Sequence, residues 1–116
     1  MVVDDEAEVT DYLKSFFERQ GLDVLTAGTG EKGLTLLQSE QPSVALLDLR
    51  LGEGLSGMEV LRRAKAAKTP TQIVVVTAVE DRHVAEMALG LGASDYIVKP
   101  FILQDLERVV LARLKS

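Results

Sequence analysis

Five short apolar runs punctuate the chain: Val2-Val3, Val24-Leu25, Val44-Ala45-Leu46-Leu47, Ile73-Val74-Val75-Val76 and Tyr96-Ile97-Val98. None alternates with polar residues, which is the pattern of a strand covered on both faces. Between them the apolar positions recur at helical spacing: Val9, Leu13, Phe16 and Phe17; Leu34 and Leu37; Leu61 and Ala64; Val84, Ala88 and Leu91; then Leu103, Leu106, Val110 and Leu114. Strand and helix therefore alternate five times. The punctuation agrees. Gly21 stands where a left-handed C-cap would close the first helix, and Pro42 stops the second. Ser56-Gly57-Met58-Glu59 has capping-box spacing and starts the third helix at Ser56.

Covered strands joined by helices imply a parallel sheet, and right-handed crossovers place helices on both of its faces. The predicted class is α/β, a flavodoxin-like (βα)5 three-layer sandwich whose five parallel strands run in the order 2-1-3-4-5. A length of 116 residues suits one domain and is too short for two cores, so residues 1–116 are expected to form a single unit, either free-standing or excised from a longer protein.

Composition narrows the chemistry. There is no cysteine and a single histidine, His83, so thiolate sites, thiol nucleophiles and multi-histidine metal centres are excluded. No apolar run approaches a membrane span, and no leader pattern precedes Asp4, so a cytoplasmic location without membrane contact is expected. The net charge is −5, with few aromatics, which argues against direct nucleic-acid binding. The charge is also uneven. Residues 1–61 carry 12 acids against 4 bases, while residues 62–116 carry 6 against 9, so a cation site is sought in the first half.

In an open parallel sheet, ligands bind beyond the carboxyl ends of the strands. The polar residues at those ends therefore matter: Asp4 and Asp5 after the first apolar run, Asp48 after the third, Thr77 after the fourth, Lys99 and Pro100 after the fifth. If those strands are neighbours, three carboxylates, a hydroxyl and an ammonium gather at one edge. Acids packed this closely repel one another unless a cation lies among them, and an all-oxygen set suits a hard ion such as Mg²⁺. One carboxylate could then attack an electrophilic phosphorus, with Lys99 balancing the charge of the phosphoryl oxygens.

The Asp4-Asp5 pair, Val44-Ala45-Leu46-Leu47-Asp48-Leu49, Val74-Val75-Val76-Thr77-Ala78 and Asp95-Tyr96-Ile97-Val98-Lys99-Pro100-Phe101 occur in the order of receiver motifs. The chain resembles the receiver domain of two-component response regulators over nearly its whole length. That resemblance implies Asp48 as phosphoacceptor, with Asp4, Asp5, Asp48 and the backbone carbonyl of Arg50 as Mg²⁺ ligands. It implies Thr77 and Lys99 as the groups that assist phosphoryl transfer, Thr77 and Tyr96 as switch residues, Ala78 as the small neighbour that leaves access, and a cis bond before Pro100. The implied partners are a sensor histidine kinase or histidine phosphotransfer protein. An output domain or second receiver would meet the face of helix 4, strand 5 and helix 5. On this reading the domain catalyses only its own phosphorylation and dephosphorylation.

Two features depart from the common receiver pattern. Residues 50–57 form a loop one residue longer than usual, with Gly52 in place of a frequent proline, and the first strand is short. Each residue also has an ordinary reading: Asp4 and Asp5 as helix caps, Thr77 as a strand-end hydroxyl, Lys99 as a surface charge, His83 as a surface residue of helix 4. Three other functions compete. A flavin site would need a phosphate-cradling loop where Asp4-Asp5-Glu6 stands, and an aspartate-dependent phosphohydrolase would need a second acid where Arg50 stands. The third is a receiver-fold binding module that takes no phosphate.

Overall fold

In a computed structural model, residues 1–115 are described; Ser116, the last residue of the predicted unit, lies outside them. The strands are β1 (Val2–Val3), β2 (Thr26–Ala27), β3 (Val44–Asp48), β4 (Gln72–Ala78) and β5 (Asp95–Lys99). The helices are α1 (Ala7–Glu18), α2 (Gly30–Glu40), α3 (Gly57–Ala66), α4 (Arg82–Gly90) and α5 (Leu103–Leu114), with a 3-10 turn at Val79–Asp81 leading into α4. All pairings are parallel and the order is β2-β1-β3-β4-β5, as predicted.

Neighbouring residues on a strand face opposite sides of the sheet, and this splits the core in two. Val2, Leu46, Val74, Val76 and Ile97 pack against Leu13 and Phe17 of α1 and Leu106 and Val110 of α5. Val3, Leu47 and Val75 pack on the other side against Leu37, Val60, Leu61, Ala64 and Ala88 from α2, α3 and α4. The sheet is thus the middle of three layers. Both faces of β3 are covered, which is why its sequence is an unbroken apolar run ending in Asp48.

Several local expectations shift. The second strand forms at Thr26–Ala27 rather than Val24-Leu25, because the register pairs Val2 with Thr26 and Val3 with Ala27. Val24 then lies opposite no residue of β1, and Leu25 contributes only its carbonyl, which accepts the Val2 N–H at 2.8 Å. Leu91 is the C-cap of α4, one residue past its end. Gly21 takes the left-handed conformation at φ 86°. Ser56 caps α3 by accepting the Glu59 N–H at 3.1 Å, but the reciprocal half of the capping box is missing. The Glu59 carboxylate pairs instead with Arg62 at 2.5 Å and Arg63 at 3.3 Å, since both guanidinium groups lie one turn along the same face.

Candidate functional site

The parallel register brings the strand ends together. Asp4 follows β1, Asp48 ends β3, Thr77 is the penultimate residue of β4, and Lys99 ends β5. β1, β3, β4 and β5 are consecutive in the sheet, so these side chains share one edge. Asp4, Asp48 and Thr77 are buried, at 4%, 6% and 2% exposure, whereas Asp5 is exposed.

Lys99 is the hub. Its Nζ donates to Asp48 Oδ2 at 2.9 Å and lies 3.5 Å from Asp4 Oδ2. Burial alone would lower the Lys99 pKa; the hydrogen bond to Asp48 and the charges of both acids outweigh it, and the ammonium is held above its usual range. The Asp4 pKa is raised as well, which for a carboxylate disfavours the charged form. Burial raises its pKa, the neighbouring Asp48 adds to the rise, and the hydrogen bond from Glu6 and the charge of Lys99 offset only part of it. Asp4 has a local task as well. Its Oδ1 accepts the Glu6 N–H at 2.9 Å and fastens the turn into α1, while the N-cap position itself is Glu6, whose side chain caps nothing.

One ammonium thus faces a set of acids. Ligand oxygens of Asp4, Asp5 and Glu6 fall within 4.8 Å of one another, and Lys99 joins Asp4 to Asp48. Glu6 was not among the ligands expected from the sequence; its only signal there was adjacency to the Asp4-Asp5 pair. This donor set consists of hard oxygens, carries excess negative charge and holds one carboxylate above its usual pKa. It fits a small divalent cation such as Mg²⁺.

Around Asp48, the backbone N–H of Arg50 donates to Oδ1 at 2.9 Å. The Arg50 guanidinium reaches across to the 3-10 turn, 2.5 Å from Asp81 Oδ2 and 3.7 Å from Glu80 Oε1. Nothing in the sequence pattern signalled this link. The Thr77 hydroxyl makes no bond to Asp48 or Lys99; its nearest acceptors are the carbonyls of Asp81 at 3.4 Å and Ala78 at 3.5 Å, both weak. Ala78 is half-buried, and Tyr96 is half-buried against the α2–α3–α4 side of the core. The Lys99–Pro100 bond is cis, and His83 is exposed on α4.

Comparison with known proteins converges on one family. The model of the response regulator receiver domain matches residues 1–111. The alkaline phosphatase synthesis transcriptional regulatory protein PhoP of Bacillus subtilis is 36% identical over 115 residues, covering 99% of this chain and 48% of its own length. The regulatory protein AtoC of Escherichia coli is 34% identical over 115 residues, covering 99% of this chain and 25% of its own. The chain thus spans about half or less of these curated relatives. Among solved structures, the receiver domain of NtrX from Brucella abortus superposes with a TM-score of 0.91 at 27% identity, over 99% of this chain and 97% of that one.

Proposed function

The chain belongs to the response regulator receiver domain family, and from that membership we propose that Asp48 accepts a phosphoryl group from a phosphohistidine in a magnesium-dependent step. The observation that carries this reading is the buried Asp48 carboxylate held at 2.9 Å by Lys99, with Asp4 on the same ammonium.

In the proposed transfer, a carboxylate oxygen of Asp48 attacks phosphorus in line, and the P–N bond breaks with its electron pair returning to the imidazole. Lys99, already on Asp48, is placed to stay with the phosphoryl oxygens as charge builds on them. Thr77 bonds weakly to two carbonyls and can exchange them for a phosphoryl oxygen. Asp4, Asp5 and Asp48, with the Arg50 carbonyl, would hold the Mg²⁺, which when bound would neutralise the acids and the incoming phosphoryl charge. The reverse loss uses the same geometry: water attacks phosphorus, the acyl–phosphate bond breaks, and Asp48 regains its electron pair as a proton passes to solvent.

Phosphorylation adds charge beside Thr77, and the proposed output is an inward movement of Thr77 and Tyr96 that changes the α4–β5–α5 face. The donor would be a sensor histidine kinase or a histidine phosphotransfer protein, and the α4–β5–α5 face would meet an output domain or a second receiver. Residues 1–116 would act as one receiver unit in the cytoplasm, with no direct nucleic-acid contact; the net charge of −5 supports the last point. No helix among the described residues is long and apolar enough to cross a membrane. Hydrolysis of external phosphate esters is disfavoured because Arg50, and not a second acid, stands two residues beyond Asp48.

The test is acetyl phosphate with Mg²⁺, read by intact mass. Wild type should gain one phosphoryl group and Asp48→Asn none. A labelled Asp48→Asn variant at wild-type rate would remove the assignment.

A further inference from the structure

Residues 49–56 run from the acceptor to the start of α3 and pass the acid cluster on the way. Besides the Arg50 guanidinium on Asp81 and the packing of Leu51 and Leu55 against the core, three features set its course. At its near end the Arg50 N–H bonds to Asp48. In the middle, Gly52 lies so close to Asp5 that a Cβ built there would be 3.0 Å from Asp5 Oδ2. At the far end, Glu31 of α2 accepts the Leu55 N–H at Oε2, 3.0 Å away.

The far contact is closely fitted. A Cβ at Gly54 would stand 2.6 Å from Glu31 Oε2, and Gly54 has φ 94°, a conformation other residues avoid. On the other side, the Leu55 carbonyl occupies the space a side chain at Gly30 would need. Two glycines and the backbone of Leu55 are thus arranged around α2 and one carboxylate that touches no reacting group.

We infer that Glu31 is a positioning residue for the acid cluster, holding the loop against Asp5 through the Leu55 N–H. The inference rests on reading Asp4, Asp5 and Asp48 as the magnesium site. Gly52 and Gly54 give the loop wide conformational freedom. Leu51 and Leu55 packed on the core limit that freedom, and the clasp at Leu55 limits it further, so cation binding has less of the loop to order. The longer loop is thereby compatible with a preformed site.

The experiment is a Mg²⁺ titration of the full chain, monitored by amide chemical shifts well below the unfolding temperature, together with hydrogen exchange at the Leu55 amide. Glu31→Ala and Gly54→Ala should each weaken Mg²⁺ binding on the order of three- to tenfold, less than loss of a group that bonds a metal ligand directly. Both should speed exchange at Leu55. Glu31→Gln keeps an acceptor oxygen while losing the charge, and should stay within about twofold of wild type. Glu31→Ala binding as tightly as wild type would overturn the inference, even with a lowered Tm, because the role would then be structural only. Glu31→Gln as weak as Glu31→Ala would overturn it too, by making the effect one of remote charge. If Gly54→Ala does not fold, the two Glu31 variants still decide. A wild-type chain with no Mg²⁺-dependent shifts at Asp4, Asp5 or Asp48 is a different result, and it removes the magnesium reading itself.

Discussion

Replacing Asp4 with asparagine should stabilise the metal-free protein. Asp4 is 4% exposed and lies 3.5 Å from Lys99. At an effective dielectric of about 20, that contact is worth roughly 5 kcal/mol of gross attraction. Against it, Asp4 and Asp48 touch the same ammonium, so the two oxygens lie within about 6 Å and repel by roughly 3 kcal/mol. Withdrawing the carboxylate from water costs several kcal/mol more. The opposing effects exceed the attraction, in accord with the raised Asp4 pKa. Asparagine removes the charge and keeps an oxygen for the Glu6 N–H. The expected gain is about 1–2 kcal/mol at neutral pH, or about 4–8 °C in Tm for a domain of this size. The sign with pH comes from linkage. A raised native pKa means that this group's stabilising contribution is present below about pH 4 and is lost as pH climbs through the native value. Wild type and Asp4→Asn should therefore coincide in acid and diverge towards neutrality. Excess Mg²⁺ should stabilise wild type by mass action and the variant much less. Urea and thermal unfolding monitored by circular dichroism, in chelator and in Mg²⁺, measure all of this. A variant no more stable than wild type at pH 7 in chelator would refute the reasoning.

Thr77→Ala removes a hydroxyl with two weak contacts and a buried methyl, so it should cost about 1–2 kcal/mol in urea unfolding. It should still be phosphorylated by acetyl phosphate, but with the phosphorylation-induced NMR shifts at Tyr96 and on α4 much reduced. Gly57→Ala sets a Cβ against the Asp48 carbonyl and Leu49 Cα, both backbone, so α3 must move away from β3. A loss of about 2–3 kcal/mol and slower phosphorylation are expected, seen in denaturant midpoints and intact mass. Ser56→Ala deletes the cap on the Glu59 N–H and should lower stability by about 1 kcal/mol in the same unfolding assay, with phosphorylation little changed.

The legible parts of this molecule were those written locally. An unbroken run such as Val44-Ala45-Leu46-Leu47 identifies a covered strand, and the polar residue after it identifies what the sheet edge presents, so Asp4, Asp48, Thr77 and Lys99 could be placed together from order alone. The second strand was displaced because an edge strand forms where its partner permits, and β1 offers only Val2 and Val3. Contacts between loops carry no period at all. Arg50 with Asp81, Glu31 with Leu55, and the 3-10 turn that brings Asp81 within reach could not be read from spacing. Glu59 shows the same limit on one helix: its position suited a cap, and nearer arginines took it.

The parallel ladders pair Asp48 with Val76, Thr77 with Val98, and Ala78 with Lys99. These side chains are thus counted off along hydrogen-bonded rungs, each rung flipping the direction in which a residue points. Lengthening a connecting segment leaves that count intact, so the loop after Asp48 can vary in length without disturbing the Lys99 contact. Inserting one residue inside β3, β4 or β5 would instead turn the side chain at the strand's end to the other face of the sheet. A change of length in a loop is therefore absorbed at the surface, whereas one within a strand resets which groups meet at the sheet edge.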